Sequence, residues 1–214
     1  MTSPATLYET AWKHLLRAVN DKKHAFSTPS VSTVARSVDT PASSPTPRTR
    51  DRAPEQLAAR SRRLVLRKAI REGDQLWCYT DRRSDKLTQL ENSGGVLHWL
   101  FWDRKSSLQL SGGGPTRELD RAEAERRFDA LEKHSRKAYA TTLPPGTPLA
   151  EAGTGLPEQW EEMTREETDF ARQNFTVLVT ELTYVDVLHL DRAGHRRVKG
   201  VKTDGRWEFS WVVP

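Results

Sequence analysis

The chain of 214 residues holds one cysteine, Cys78, and two methionines, and no apolar run approaches the roughly 20 residues a membrane helix needs. A single cysteine forms no internal disulfide, so a secreted disulfide scaffold is excluded and a reducing, cytoplasmic setting is expected. The opening MTSPATLYETAW lacks the basic-then-apolar pattern of a signal peptide. None of the six histidines stands in HxH or HxxxH spacing and no second cysteine exists, so no metal site is expected from the spacing. His14 is expected on the solvated side of a helix, and His98, inside GVLHWLFW, as a hydrogen-bonded core residue rather than a ligand. GxxxxGK[ST], GxSxG and GxGxxG are also missing, which takes away the usual supports for nucleotide hydrolysis and serine-nucleophile chemistry. The run SGGGP at 111–115 reads as a bulge or turn that ends a strand, not as a phosphate cradle.

The formal charge of +5 is local. Between Arg48 and Glu72 nine basic residues face three acidic ones, a net of +6, and the rest of the chain is close to neutral. Residues 151–172 reverse the sign, so the charge does not form one polyanion-binding face. The segment SVDTPASSPTPRTRDRAP at 37–54 has four prolines and little large apolar surface to offset its ordering entropy. It reads as a mobile loop or insertion in a single domain spanning 1–214. A basic arm for nucleic acid is the alternative, weakened because no aromatic residue is interleaved for base stacking.

Leu7, Ala11, Trp12, Leu15, Leu16 and Val19 at helical spacing predict an N-terminal amphipathic helix over 7–20. Short aliphatic and aromatic runs predict strands at 29–36, 62–70, 74–81, 95–103, 106–112, 175–191, 195–203 and 206–214. A short helix follows Ser84, and longer ones are expected over 116–140 and 157–174. DRAGH and TDGR supply hairpin turns. The pattern predicts a mainly β chain with peripheral helices, built as a mostly antiparallel closed sheet, a small barrel.

Basic and hydroxyl residues collect on the central runs. A dianionic phosphate needs a guanidinium or ammonium with hydroxyl and backbone donors, and Arg63, Thr80, Ser84 and Lys86 can converge through one hairpin and one helix start. The competing reading makes Arg63 and Lys86 ordinary surface charges.

The stretch RRLVLRKAIREGDQLWCYTDRRSDKLTQLENSGGVLHWLFWDRKSSLQLSGG resembles the flavin-binding core of the pyridoxamine 5'-phosphate oxidase-related family. It carries that family's R-x-V-L-x-K strand, a Y-T strand end followed by S-x-K, and a later F-W-D with Gln109. The last thirty or so residues, with HRR and a Trp-rich finish, are similar to the family's C-terminal hairpin, and W-x-x-L-x-x-A followed by KKHAF resembles its less characterised FMN-binding branch. The resemblance implies an antiparallel split β-barrel of the FMN-binding type, a homodimer, and FMN at the subunit interface. It assigns Arg63, Lys86, Thr80 and Ser84 to the FMN phosphate, at the end of the strand carrying Tyr79. The backbone of Leu64, Val65 and Leu66 is assigned to the flavin ring, with Gln109 hydrogen-bonded to it. Lys68 and Arg196 are placed near the ring or a small anionic substrate, and Arg136 at a substrate phosphate.

The departures are specific. Asp85 stands where the family carries a second basic residue, and Leu190 and Gly200 stand where it has a flavin-contacting Trp and Arg. Glu132 and Ala140 replace a Tyr and a Ser beside Arg136. An FMN-dependent oxidoreductase taking hydride from a small substrate is therefore the leading expectation. A flavin-binding carrier or sensor without turnover is the alternative, and no catalytic acid or base is singled out.

Overall fold

The N-terminal helix begins with Ser3 accepting the Thr6 N–H and with proline in the first turn, which needs no amide donor. This helix, α1 (Pro4–Asn20), buries Leu7, Tyr8, Ala11, Trp12, Leu15 and Ala18, while Leu16 is exposed. The computed structural model describes residues 3–36, 57–92 and 94–214 of the chain, so the insertion expected at 37–54 lies outside the described residues.

Ten strands form where eight runs were expected. They are β1 (Ser30–Arg36), β2 (Leu57–Arg63), β3 (Leu66–Ile70), β4 (Gln75–Asp81), β5 (Val96–Asp103), β6 (Leu108–Glu118), β7 (Phe175–Glu181), β8 (Tyr184–His189), β9 (Arg196–Thr203) and β10 (Arg206–Val212). Two runs divide. RRLVLRKAI breaks at Leu64 and Val65, because β2 pairs with β1 and β3 with β4. The run after Phe175 breaks at Leu182, whose N–H is taken by the Asp74 carbonyl.

All the pairings are antiparallel, in the order β10-β9-β8-β6-β5-β1-β2, with β3-β4-β7 branching from β6. The expected closure is not made: β10, β2 and β3 each have one described neighbour. The split occurs along β6, whose Leu108–Gly113 pairs with β8 while Thr116–Glu118 pairs with β7. SGGGP therefore does not end a strand; it carries β6 from one sheet to the other. A Cβ on Gly114 would run into the Glu181 carbonyl oxygen, so only glycine allows the strands to cross this closely.

The expected helix over 116–140 is shorter. Thr116–Glu118 stays in β6, Asp120 caps α3 (Arg121–Asp129), and one further turn, α4 (Lys133–Arg136), follows. Over 157–174 only Glu166–Asn174 is helical, as 3-10 turns. The Asp204–Gly205 turn has positive φ at both positions (49° and 76°), the primed hairpin geometry that TDGR predicts.

Strand β7 is buried on both faces and separates two cores. On one side α1 packs with Val31, Trp99, Phe101 and Val187; on the other, Trp77, Phe128, Tyr139 and Trp160 surround Phe175. Buried Asp74, at positive φ in the β3–β4 turn, ties α1 to β9 and β10: its carboxylate accepts from Tyr8 Oη, Arg71 and Trp207 Nε1, and Lys202 Nζ lies 3.4 Å away.

Candidate functional site

Helix α2 (Asp85–Asn92) follows β4 after a tight turn and lies against β1. The turn is closed by Ser84, whose Oγ donates to the Asp81 carbonyl at 2.7 Å. Lys86, in the first turn of α2, folds back over this bend, and its Nζ donates to Thr80 Oγ1 and Ser84 Oγ, each at 2.6 Å. An ammonium has three donors, so one remains. The neighbouring Asp81 carboxylate is occupied by the Arg83 guanidinium at 2.7 Å and by the Arg83 N–H, and no carboxylate among the described residues pairs with Lys86. Burial, and then the nearby Arg62, hold the Lys86 ammonium below the usual lysine value. A half-buried cation served only by hydroxyls is the donor set a phosphate would complete.

Another cation enters from β3, against Tyr79. The pairing of β3 with β4 shifts between Leu66 and Lys68, and the bulged residue is Arg67. Its guanidinium lies over the Tyr79 ring at 5.2 Å, and its buried Nε has no hydrogen-bond partner. Arg67 and Lys86 both act electrostatically on the Cys78 thiol, although burial dominates there and pushes the thiol up to about 12. Arg67 occupies a variable position in the R-x-V-L-x-K pattern, and only the bulge reveals where it points.

Arg63 does not join Thr80, Ser84 and Lys86. Alternation along β2 turns Arg62 toward α2, where it donates to Thr33 Oγ1 and Gln89 Oε1, each at 2.7 Å. Arg63 faces the other way and donates to Thr28 Oγ1 at 3.1 Å. On that outer face the pairing places Gln109 between Trp102 and Leu188, one row from Leu100 and Ser30. Leu64 and Val65 belong to neither ladder, and Leu66 is buried at the start of β3.

The expected substrate residues are scattered. Lys68 Nζ lies 4.6 Å over the Trp77 ring. Arg136 is buried; it donates to the Leu131 and Arg165 carbonyls, Thr168 Oγ1 and Asp169, so its donors are committed within the chain. Arg196 bonds His189 Nδ1 at 3.4 Å and lies 3.8 Å from Asp191, at the opposite end of the strand order from β2.

No family model matches the sequence, and no curated protein does. Among solved structures, the chain is similar to a pyridoxamine 5'-phosphate oxidase-related, FMN binding protein from Nostoc punctiforme. The TM-score is 0.66 at 19% identity, covering 97% of each chain. It is also similar to PhzG from Burkholderia lata, solved in complex with tetrahydrophenazine-1-carboxylic acid, with a TM-score of 0.65 at 14% identity over 100% of this chain and 94% of that one. The fold is the split barrel of the pyridoxamine 5'-phosphate oxidase relatives. Within this split barrel the departures acquire physical content. Asp85 is exposed and makes no ion pair with Lys86. At Gly200 a Cβ would lie 2.5 Å from the Phe209 ring, so no larger side chain fits where the family pattern has an arginine.

Proposed function

We propose that the chain is an FMN-binding flavoprotein and an oxidoreductase that takes hydride from a small substrate. The observation that carries this reading is the Lys86 ammonium, half-buried and bonded only to Thr80 and Ser84. These groups fit a phosphate: one cation, two hydroxyls and the start of α2. Lys86, Thr80 and Ser84 would hold the FMN phosphate, and Arg62 would add charge behind them. The unladdered backbone at Leu64 and Val65, with Leu66, would flank the ring, and Gln109 would hydrogen-bond it. Bound flavin supplies a ring that accepts hydride, while the protein supplies orientation and the hydrogen bonds that tune it.

A homodimer is part of the reading. The outer face that carries Arg63 and Gln109 also exposes Leu100, Trp102, Tyr184 and Val201, an apolar strip suited to a twofold partner. A cytoplasmic location accords with the unpaired, buried Cys78; no helix among the described residues is long and apolar enough to cross a membrane.

The carrier or sensor reading has its own support, since Arg136 is committed inside the chain and Arg196 stands apart from Lys86. The visible spectrum of the purified protein tests the flavin reading: FMN should copurify or reconstitute the apo-protein, and a colourless protein that FMN does not reconstitute refutes it. Oxygen consumption with pyridoxamine 5'-phosphate then separates enzyme from carrier, and a weak or absent response is expected with that substrate.

A further inference from the structure

His14, His24 and Asp103 lie far apart in the sequence and meet at the edge of the core stripe of α1, beside Phe26. His14 comes from α1, His24 from the start of a 3-10 turn at Ala25–Ser27, and Asp103 from the end of β5. His14 Nδ1 is 3.2 Å from His24 Nε2 and 3.7 Å from Asp103 Oδ2, and one ligand atom from each residue lies within 4.8 Å of the other two. Nitrogen and oxygen ligands at ~2.0–2.2 Å from a tetrahedral ion are themselves a little over 3 Å apart, close to this spacing.

The surroundings favour ligation over a solvated cluster. Asp103 is buried, and its carboxylate is oriented by the Lys105 N–H at 2.9 Å and Ser106 Oγ at 2.8 Å, the outer support that ligating carboxylates require. Phe26 packs against both imidazoles, with ring centroids 5.4 and 5.6 Å away. Burial and the neighbouring His24 lower the His14 value, which keeps its lone pair available. The cluster opens into a cleft of about 980 Å³ edged by Arg17, Asp21, Lys23, Trp102, Arg104 and Lys105.

We propose that His14 Nδ1, His24 Nε2 and the Asp103 carboxylate bind one late first-row divalent metal ion, Zn²⁺ being the type, with a fourth position open to the cleft. Two imidazoles and one carboxylate suit zinc, and three protein ligands with a free position are the pattern of an open site. Arg17 at the rim is paired with Asp21, and the excess charge of Lys23, Arg104 and Lys105 favours an anion as the fourth ligand. Ligation requires one tautomer change. His24 Nδ1 now accepts the Phe26 N–H at 3.1 Å, so neutral His24 carries its proton on Nε2; the proton moves to Nδ1 when Nε2 takes the ion, and the Phe26 bond is given up.

The test is titration of the tag-free full chain with Zn²⁺ by calorimetry and with Co²⁺ by visible absorption. One equivalent should bind, the Co²⁺ bands should have the high intensity of four- or five-coordination without a thiolate charge-transfer band, and azide should shift them. His14→Gln and His24→Gln should each weaken binding about 100-fold or more and Ser106→Ala by about 10-fold, while His134→Gln at an exposed position should change nothing. Absence of binding to the wild-type chain overturns the proposal. So does unchanged binding by a His14→Gln/His24→Gln variant with wild-type circular dichroism, or a six-coordinate Co²⁺ spectrum that azide does not alter. Should the double variant not fold, the wild-type Co²⁺ spectrum and Ser106→Ala decide alone. The flavin spectrum is read independently of both.

Discussion

Replacing Lys86 by Met keeps an unbranched stem as far as Cε and removes the ammonium. In the apo-protein this should cost little. Nζ donates to Thr80 Oγ1 and Ser84 Oγ, but Ser84 keeps its bond to the Asp81 carbonyl, and the charge itself is disfavoured by burial and by Arg62. The loss of two contacts and the relief of an unpaired cation oppose each other, and stability should stay within about 1 kcal/mol of wild type. Ligand affinity has no such compensation. A charge-assisted hydrogen bond to phosphate is worth ~1.5–3 kcal/mol, so the FMN Kd should rise about 10- to 150-fold. Riboflavin has the same ring and no phosphate, and its affinity should be unchanged. Quenching of flavin fluorescence, titrated with both ligands against both proteins, measures all four constants. An FMN Kd within threefold of wild type refutes the phosphate site, and an equal loss for riboflavin shows that the substitution damaged the ring site instead.

Asp74→Ala strands the donors of Tyr8 and Trp207 and leaves Arg71 with Glu9 alone and Lys202 with Glu181 alone; it should cost about 3–5 kcal/mol, seen as a fall in Tm of roughly 10 °C or more. Gly114→Ala drives a methyl into the Glu181 carbonyl and should cost about 3 kcal/mol in denaturant unfolding, while Gly194→Ala, with open space around its Cβ but φ of 132°, should cost less. Burial lowers His14 and His98 below the ordinary histidine value of 6.5. The unfolded chain therefore binds these protons first, and stability should fall as pH drops below about 6.5 until the folded-state values are passed. Urea midpoints across that range should show a shallower fall in His98→Gln.

The strands were legible wherever one face is buried, because alternation fixes both their existence and their sides. β5, with alternating buried residues, lies within the run that predicts it; β10 does too, although its apolar face is only half-buried and Trp211 is exposed, and the five tryptophans at 77, 99, 102, 207 and 211 all fall on strands. The helices over 116–140 and 157–174 were over-extended. Helical spacing of Phe128, Trp160 and Phe170 records that these residues face a core or its margin, but not that the backbone between them is continuous. Thr116–Glu118 instead satisfies its amides against β7, and Arg136 ties the later turns through carbonyls that a regular helix would have used internally. The His14–His24–Asp103 cluster was illegible for a related reason: spacing rules detect ligands within one element, and these three meet only after the turn at Ala25–Ser27 packs against both α1 and β5.

The anion site shows how narrow the margin of sequence reading can be. Arg62 and Arg63 are adjacent, equally basic and equally close to Lys86 along the chain, yet a strand sends neighbours to opposite faces. Register decides between them. Val31 pairs with Arg62 and Ser30 with Arg63, and Val31 is fully buried, so the parity of one hydrophobic residue in β1 assigns Arg62 to the side of α2 and Arg63 to the outer face. Arg67 escapes the same rule because the bulge between Leu66 and Lys68 resets the alternation, and its guanidinium comes to Tyr79. If the outer face meets a second copy, Arg63 and Gln109 become interface residues while Lys86 and Arg67 stay within one chain. Arg63→Ala should then weaken both dimerisation and FMN binding, whereas Lys86→Met should weaken FMN binding alone. Sedimentation equilibrium of the two variants separates these outcomes, and a Lys86→Met protein that dissociates would place Lys86 at the interface and overturn the division.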